Sequence, residues 1–197
     1  VLAPGNFATC ERVPEWACAK LLDSEDFNAM STLPLVFATA VYGLLDRAQL
    51  CEGETVLIHS GAGGVGIAAI QIAQMQGAEI FTTVSTEAKR QYLIKNFGIK
   101  PENIFNSRDS SFLEGVLAAT NGKGVDVVLN SLIGDLLHDS WRACARFGRF
   151  VEIGKRDLTD SGRLDMQMFK RNVTFSAFDV SELYDLTNPK LSKVWRR

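Results

Sequence analysis

The 197-residue chain is 46% hydrophobic and 22% charged, with a formal net charge of −2 at pH 7. That is the make-up of an ordinary globular protein with room for one full domain and part of another. Acids and bases are interspersed, which argues against nucleic acid or an anionic membrane as the main partner, and no apolar run reaches the roughly 18 residues of a membrane span.

The segment 1–23, "VLAPGNFATCERVPEWACAKLLD", breaks short polar–apolar alternations at Pro4, Gly5 and Pro14 and reads as the last strands of a separate β domain. "NAMSTLPLVFATAVYGLLDRAQL" then predicts a linking helix, with Pro34 near its start and Val36, Phe37, Ala40, Val41 and Leu44 on one face. From there strands and helices alternate. The expected strands are 55–60, 79–84, 103–105, 126–130, 149–153 and 174–178; the expected helices are 65–76, 87–96, 111–120, 135–146 and 166–170. Strands such as "VLI", "VVL" and "FVEI" are nearly continuous apolar runs, which suits parallel strands covered on both faces. The repetition predicts an α/β fold with a doubly wound parallel sheet. Gly77 is placed as a helix-ending glycine, and Pro101 just ahead of its strand. Val1 in place of methionine and the ending "KVWRR" lead us to expect a segment of a longer protein.

The four cysteines (Cys10, Cys18, Cys51, Cys144) follow no metal-binding spacing, and His59 and His138 are the two histidines, a poor inventory for zinc. The cysteines are expected to be reduced, in the core or half-buried, as in a cytoplasmic protein.

Gly61-Ala62-Gly63-Gly64-Val65-Gly66 follows a strand and opens a helix, the context that a dinucleotide fingerprint requires. Gly61 suits a tight turn, Gly63 a close approach to a pyrophosphate, and Gly66 close helix–strand packing, while the helix N-terminus offers free N–H groups. A phosphate loop of the other kind is excluded, because Ile67-Ala68 stand where Lys-Ser/Thr should follow the last glycine. An NAD site usually ends its second strand in Asp or Glu. Here Thr83-Val84-Ser85 end it, so Ser85, Lys89 and Arg108 point to the 2′-phosphate of NADPH. Their bland readings stay open: Ser85 as a helix N-cap, Lys89 as a solvated face, Arg108 paired with Asp109. Glu87 as a ribose acid also stays open, although an acid is expected in a first helical turn anyway.

In such sheets ligands lie beyond the carboxyl ends of the strands. Three polar clusters fall there: Asn130-Ser131-Leu132, then Gly154, Lys155 and Asp157, then Asp179. A lysine withdrawn from water at that point can donate a proton; equally, Lys155 can be a surface residue paired with Asp157. From the residues alone the reading stops at a nucleotide-dependent oxidoreductase.

Beyond that, "LPLVFATAVYGL", "VLIHSGAGGVGIAAIQIAQ", "TVSTEAKRQYL", "NSRDSSF", "GKGVDVVLNSL" and "GRFVEIGKRDL" together resemble the enoyl reductase domain of reducing polyketide synthases, fungal highly reducing ones most closely, and of animal fatty acid synthases. Both belong to the medium-chain dehydrogenase/reductase superfamily. The resemblance implies a Rossmann sheet of strand order 3-2-1-4-5-6 at 24–180, a remnant of a GroES-like substrate domain at 1–23, and the start of a return segment at 181–197. It implies zinc-independent, NADPH-dependent reduction of a trans-2-enoyl thioester on an acyl carrier protein, with other synthase domains in cis and homodimerisation through a sheet edge. Lys155 and Asp179 match the proposed proton donors, Ser85, Lys89 and Arg108 the 2′-phosphate positions, and Thr39 with Asn130, Ser131 and Leu132 positions near the nicotinamide. The spacing to Asp179 is slightly shorter than in the animal enzymes. Competing expectations are a zinc-free quinone or enone reductase of the same superfamily, a silent nucleotide-binding module, and, remotely, a methyltransferase, which should carry an acid where Ser85 stands.

Overall fold

The computed structural model describes residues 18–184, together with Cys10, Arg12, Val13 and Glu15. Much of the 1–23 segment and residues 185–197 of the return segment lie outside the described residues.

Six parallel strands form one sheet in the order β3-β2-β1-β4-β5-β6: β1 (Thr55–Ile58), β2 (Glu79–Val84), β3 (Ile104–Asn106), β4 (Val125–Asn130), β5 (Cys144–Glu152) and β6 (Thr174–Ala177). The strand order reverses between β1 and β4, so the crevice for a ligand opens at their carboxyl ends. Successive residues of β1 face opposite ways. Val56 and Ile58 join a core with Ala40 and Leu44, Ala69 and Ala73, and Leu93; Leu57 joins one with Phe112, Val116, Trp141 and Phe150. Helices α2 (Leu33–Val41), α3 (Gly64–Met75) and α4 (Glu87–Phe97) cover the first face, and α5 (Ser111–Ala119) and α6 (Asp135–Arg142) the second. Trp141 anchors the second face, edge-on to Phe150 and Phe175, with its indole N–H donating to the Asp165 carbonyl at 2.9 Å.

Two sequence expectations need correction. The linking helix is three pieces: α1 (Phe27–Ser31), α2, and a π-helical turn Tyr42–Arg47. Asp26 caps α1 through the Ala29 amide, and Pro34, in the first turn of α2, has no N–H with which to continue a helix from α1. The helix expected over 135–146 ends at Arg142, because Cys144 already pairs with Val125 in the sheet. A register shift follows before Arg149 meets Val127, which turns Phe147 into a left-handed conformation (φ 61°) with its ring exposed. The cysteines also differ from expectation: Cys144 is in the core, while Cys10, Cys18 and Cys51 are exposed, and all four are free thiols. Among the described residues no helix is long and apolar enough to cross a membrane.

Candidate active site

The turn from β1 into α3 is set by its floor. Thr83 of β2 accepts the Gly61 amide on its carbonyl at 2.9 Å and the Ser60 amide on its hydroxyl at 3.3 Å. The left-handed residue of the turn is Ser60 (φ 54°), where the sequence suggested Gly61. Gly61 is needed for a different reason: a Cβ there would strike the Thr82 hydroxyl. Gly66 fits the sequence reading, since an added Cβ would lie 2.6 Å from the Gly61 Cα and 2.7 Å from its carbonyl oxygen. Gly63 and Gly64 are exposed, and Gly63 caps α3 with no side-chain hydrogen bond. The Gly63 amide is taken by the Ser60 carbonyl at 2.8 Å, while the amides of Gly64, Val65 and Gly66, which open α3, have no side-chain cap, as an anion site at a helix N-terminus demands.

Beneath the turn lies His59, which the sequence reading used only for its metal inventory. It is buried, and desolvation lowers its pKa to about 3, so the ring is neutral. The Ser140 hydroxyl donates its one proton to the Leu136 carbonyl at 2.6 Å, so it accepts from His59 Nε2 at 2.8 Å; Nδ1 of the neutral ring is then an acceptor and takes the Thr83 hydroxyl proton at 3.0 Å. This chain ties the glycine turn to α6. A histidine directly after "VLI", two residues before the first glycine, was the available signal.

At the tips of β2 and β3 a 240 Å³ hollow is lined by Ser85, Thr86, Glu87, Arg90, Phe105 and Asn106, among others. Of the bland readings, those of Ser85 and Arg108 weaken here, while the exposed Lys89 still fits a solvated face. Thr86, not Ser85, caps α4, by accepting the Lys89 amide at 3.3 Å. Glu87 is engaged by Gln91 at 2.6 Å. Asp109 is occupied by the Ser111 hydroxyl and amide and by Asn106, bonds that hold its carboxyl below the usual range, so it does not serve Arg108. Among the described residues no carboxylate pairs with Lys89 or Arg108, and both are exposed. Arg90, by contrast, is spent on the carbonyls of Ile104 and Pro101.

At the other side of the crevice the structure joins two residues that lie 24 positions apart. Lys155, after β5, places Nζ 2.5 Å from Asp179 Oδ2 and 3.3 Å from Ser181 Oγ. The Lys155 bond and the Ser181 hydroxyl and amide bring the Asp179 pKa down to about 2. The Lys155–Asp157 pair does not form; Asp157 instead accepts the Gly134 amide at 3.2 Å. The Lys155 side chain is 60% exposed, so the withdrawal from water that the sequence reading invoked is not provided by the described residues.

Between these groups Asn130, fully buried, donates to the Leu132 carbonyl at 2.8 Å and accepts the Leu132 amide at 3.3 Å, which folds Asn130-Ser131-Leu132 into a tight loop. Ser131 and Leu132 are half-buried. Glu152, absent from the sequence-based site, meets Asn130 Nδ2 at 2.5 Å and is buried. An acid inside the apolar run Phe150-Val151-Glu152-Ile153 was its signal. Thr39 is buried, and its hydroxyl is used within α2, donating to the Leu35 carbonyl at 2.8 Å.

The surroundings fit a nicotinamide dinucleotide: uncapped amides where a diphosphate would lie, exposed Lys89 and Arg108 that pair with no carboxylate among the described residues, and polar side chains at the tips of β4, β5 and β6. They do not fit zinc, since among the described residues no three His, Cys, Asp or Glu side chains converge.

Residues 64–193 match the family model described as zinc-binding dehydrogenase. The highly reducing polyketide synthase anuA of Penicillium roqueforti (strain FM164) is 58% identical over 194 residues, 98% of this chain and 9% of that relative. The crystal structure of CurK enoyl reductase superposes with a TM-score of 0.78 at 41% identity, covering 90% of this chain and 52% of that one. The nucleotide-binding subdomain of the enoylreductase domain of PpsC from Mycobacterium tuberculosis superposes with a TM-score of 0.76 at 36% identity, covering 82% and 89%. The chain spans less than a tenth of the length of the first curated relatives it matches.

Proposed function

Because the chain belongs to the zinc-binding dehydrogenase family, among the enoyl reductase domains of polyketide synthases, we propose that it binds NADPH and serves the reduction of a trans-2-enoyl thioester carried on an acyl carrier protein. The observation that carries this reading is the shared crevice: one sheet end presents the uncapped amides of Gly64, Val65 and Gly66 and, across β1 and β4, the Lys155–Asp179 pair.

The residues divide the work. The amides opening α3 hold the diphosphate, with Gly63 allowing the approach and Gly61 packing the turn onto Thr82. Ser85, Lys89 and Arg108 hold the 2′-phosphate, each charge-assisted bond contributing roughly 1.5–3 kcal/mol. Asn130, Ser131 and Leu132 border the ring site, and Thr39 shapes it from α2. When bound, NADPH supplies the hydride that reduces the β carbon. Lys155 then gives the α carbon its proton, and the ionised Asp179 holds its side chain in place before the transfer. No step passes through a metal.

In this reading 1–23 ends a GroES-like substrate domain, 24–180 is the Rossmann domain, and 181–197 begins a return segment. The partners are the carrier protein, the other synthase domains in cis, and a second copy through a sheet edge, in the cytoplasm. The test compares NADPH oxidation with a pantetheine-bound crotonyl thioester and with a quinone, with Lys155→Ala as the control. Turnover of the thioester that depends on Lys155 supports the proposal; preference for the quinone contradicts it in favour of a quinone reductase.

A further inference from the structure

Glu152 takes no part in the steps above, yet it is a buried acid at the tip of β5. Each of its carboxylate oxygens faces an N–H donor on a different strand end: Oε2 accepts Asn130 Nδ2 of β4 at 2.5 Å, and Oε1 accepts the Gly154 amide at 2.5 Å. Neither donor can be exchanged for an acceptor. Asn130 is fixed in its orientation by the two bonds with Leu132, and the Gly154 group is main chain. The turn is seated tightly on this acid, since a Cβ on Gly154 would lie 2.7 Å from Oε1. Asp157 adds a parallel staple from the same turn to Gly134, at the far end of the Asn130 loop.

We propose that Glu152 is a positioning residue for the reduction, clamping the Asn130–Leu132 loop to the Gly154–Lys155 turn only while its carboxylate is ionised. An ionised carboxylate only accepts, so it satisfies both donors; a protonated acid keeps one strong acceptor oxygen, and a glutamine turns its NH2 toward one of the donors, so either weakens one of the two bonds. The clamp therefore opens on protonation and uncouples Lys155 from the loop beside the ring site. Burial pushes the Glu152 pKa up to about 7, opposed by the Asn130 and Gly154 bonds and reinforced by the charge of Asp157. Asp157, on α7 (Arg156–Thr159), is the charge that acts on Glu152 among the described residues; the Lys155 ammonium is turned to Asp179, and from beyond β6 only the Phe178 amide reaches Glu152, at its main-chain carbonyl. The opening thus falls near neutral pH.

The functional half of this inference rests on the role proposed for Lys155, and the experiment separates the two. In 1H–15N spectra of the coenzyme-free chain from about pH 5.5 to about pH 8.5, the Asn130 side-chain amide and the Gly154 amide should titrate together with a midpoint near 7, and in Glu152→Gln they should not titrate. Flat resonances in the unmodified chain, or the same titration in the variant, overturn the clamp. The unmodified chain decides this even where the variant does not fold. In thioester reduction, Glu152→Gln should lower kcat about tenfold and remove the rise between acid and neutral pH, while NADPH Kd by fluorescence stays within about threefold. Unchanged kcat in Glu152→Gln beside a loss in Lys155→Ala overturns the positioning role alone. An unchanged kcat in Lys155→Ala overturns the role of Lys155 and with it the functional half, while the Asn130 titration still tests the clamp.

Discussion

At the β1–α3 turn the chain offers main-chain amides on a floor where little can move: Thr82, Thr83 and His59 lie buried beneath it, and Gly61 and Gly66 are in contact with their surroundings. At the tips of β5 and β6 it offers side chains on a half-open shelf, with the Lys155 side chain 60% exposed and held by one carboxylate and one hydroxyl. In the proposed reading, binding and proton delivery place different demands on the fold. A diphosphate would be gripped by groups fixed before it arrives. A proton donor must reach a substrate, and its shelf is stiffened from below by Glu152 and Asp157.

Gly66→Ala should break the contrast most severely. The new methyl group overlaps the Ser60 carbonyl and the Gly61 backbone, so α3 must retreat from the turn. We expect about 1–3 kcal/mol of lost stability in thermal melts and NADPH binding too weak to measure by fluorescence. Lys155→Ala should act at the other end only, lowering thioester reduction about a hundredfold while leaving the melting temperature within a few degrees. Lys89→Ala or Arg108→Ala should weaken NADPH about ten- to a hundredfold and leave NADH unchanged. Equal losses for both coenzymes would remove these residues from the 2′-phosphate site.

The smallest effects are in stability against pH, and they have opposite signs. Asp179, with a depressed pKa of about 2, contributes stability that is present above its ordinary value of 3.8 and lost as the pH falls through 2. Its exposure keeps this below about 1 kcal/mol, and Asp179→Asn should remove the slope in acid unfolding. Glu152, with a pKa raised from 4.5 to about 7, contributes stability that is present below 4.5 and lost as the pH rises through 7. Glu152→Gln should flatten that second slope.

The sheet was legible in the sequence because its strands are buried on both faces and carry the apolar signal themselves; β2 runs over the expected residues. The breaks at Thr32 and at Cys144 were not. The first depends on a proline that reads equally as a helix start, and the second on a strand pairing that no local pattern reveals. The glycine turn was legible as a motif, but not the part played by Ser60, whose positive φ is imposed by bonds from β2. Lys155 and Asp179 could each be named, but their meeting depends on adjacent strand ends. Glu152 escaped because an acid in an apolar run means little until its partners on β4 and after β5 are in place.

The most direct measurement is a 1H–15N titration of the chain with NADPH. The account predicts that the amides of Gly63, Gly64, Val65 and Gly66 shift together with that of Lys155, at one saturating concentration. Shifts confined to the opposite end of the sheet, around the 810 Å³ hollow lined by Thr55, Gly122, Lys123, Gly124 and Asp126, with the glycine turn unmoved, would contradict it.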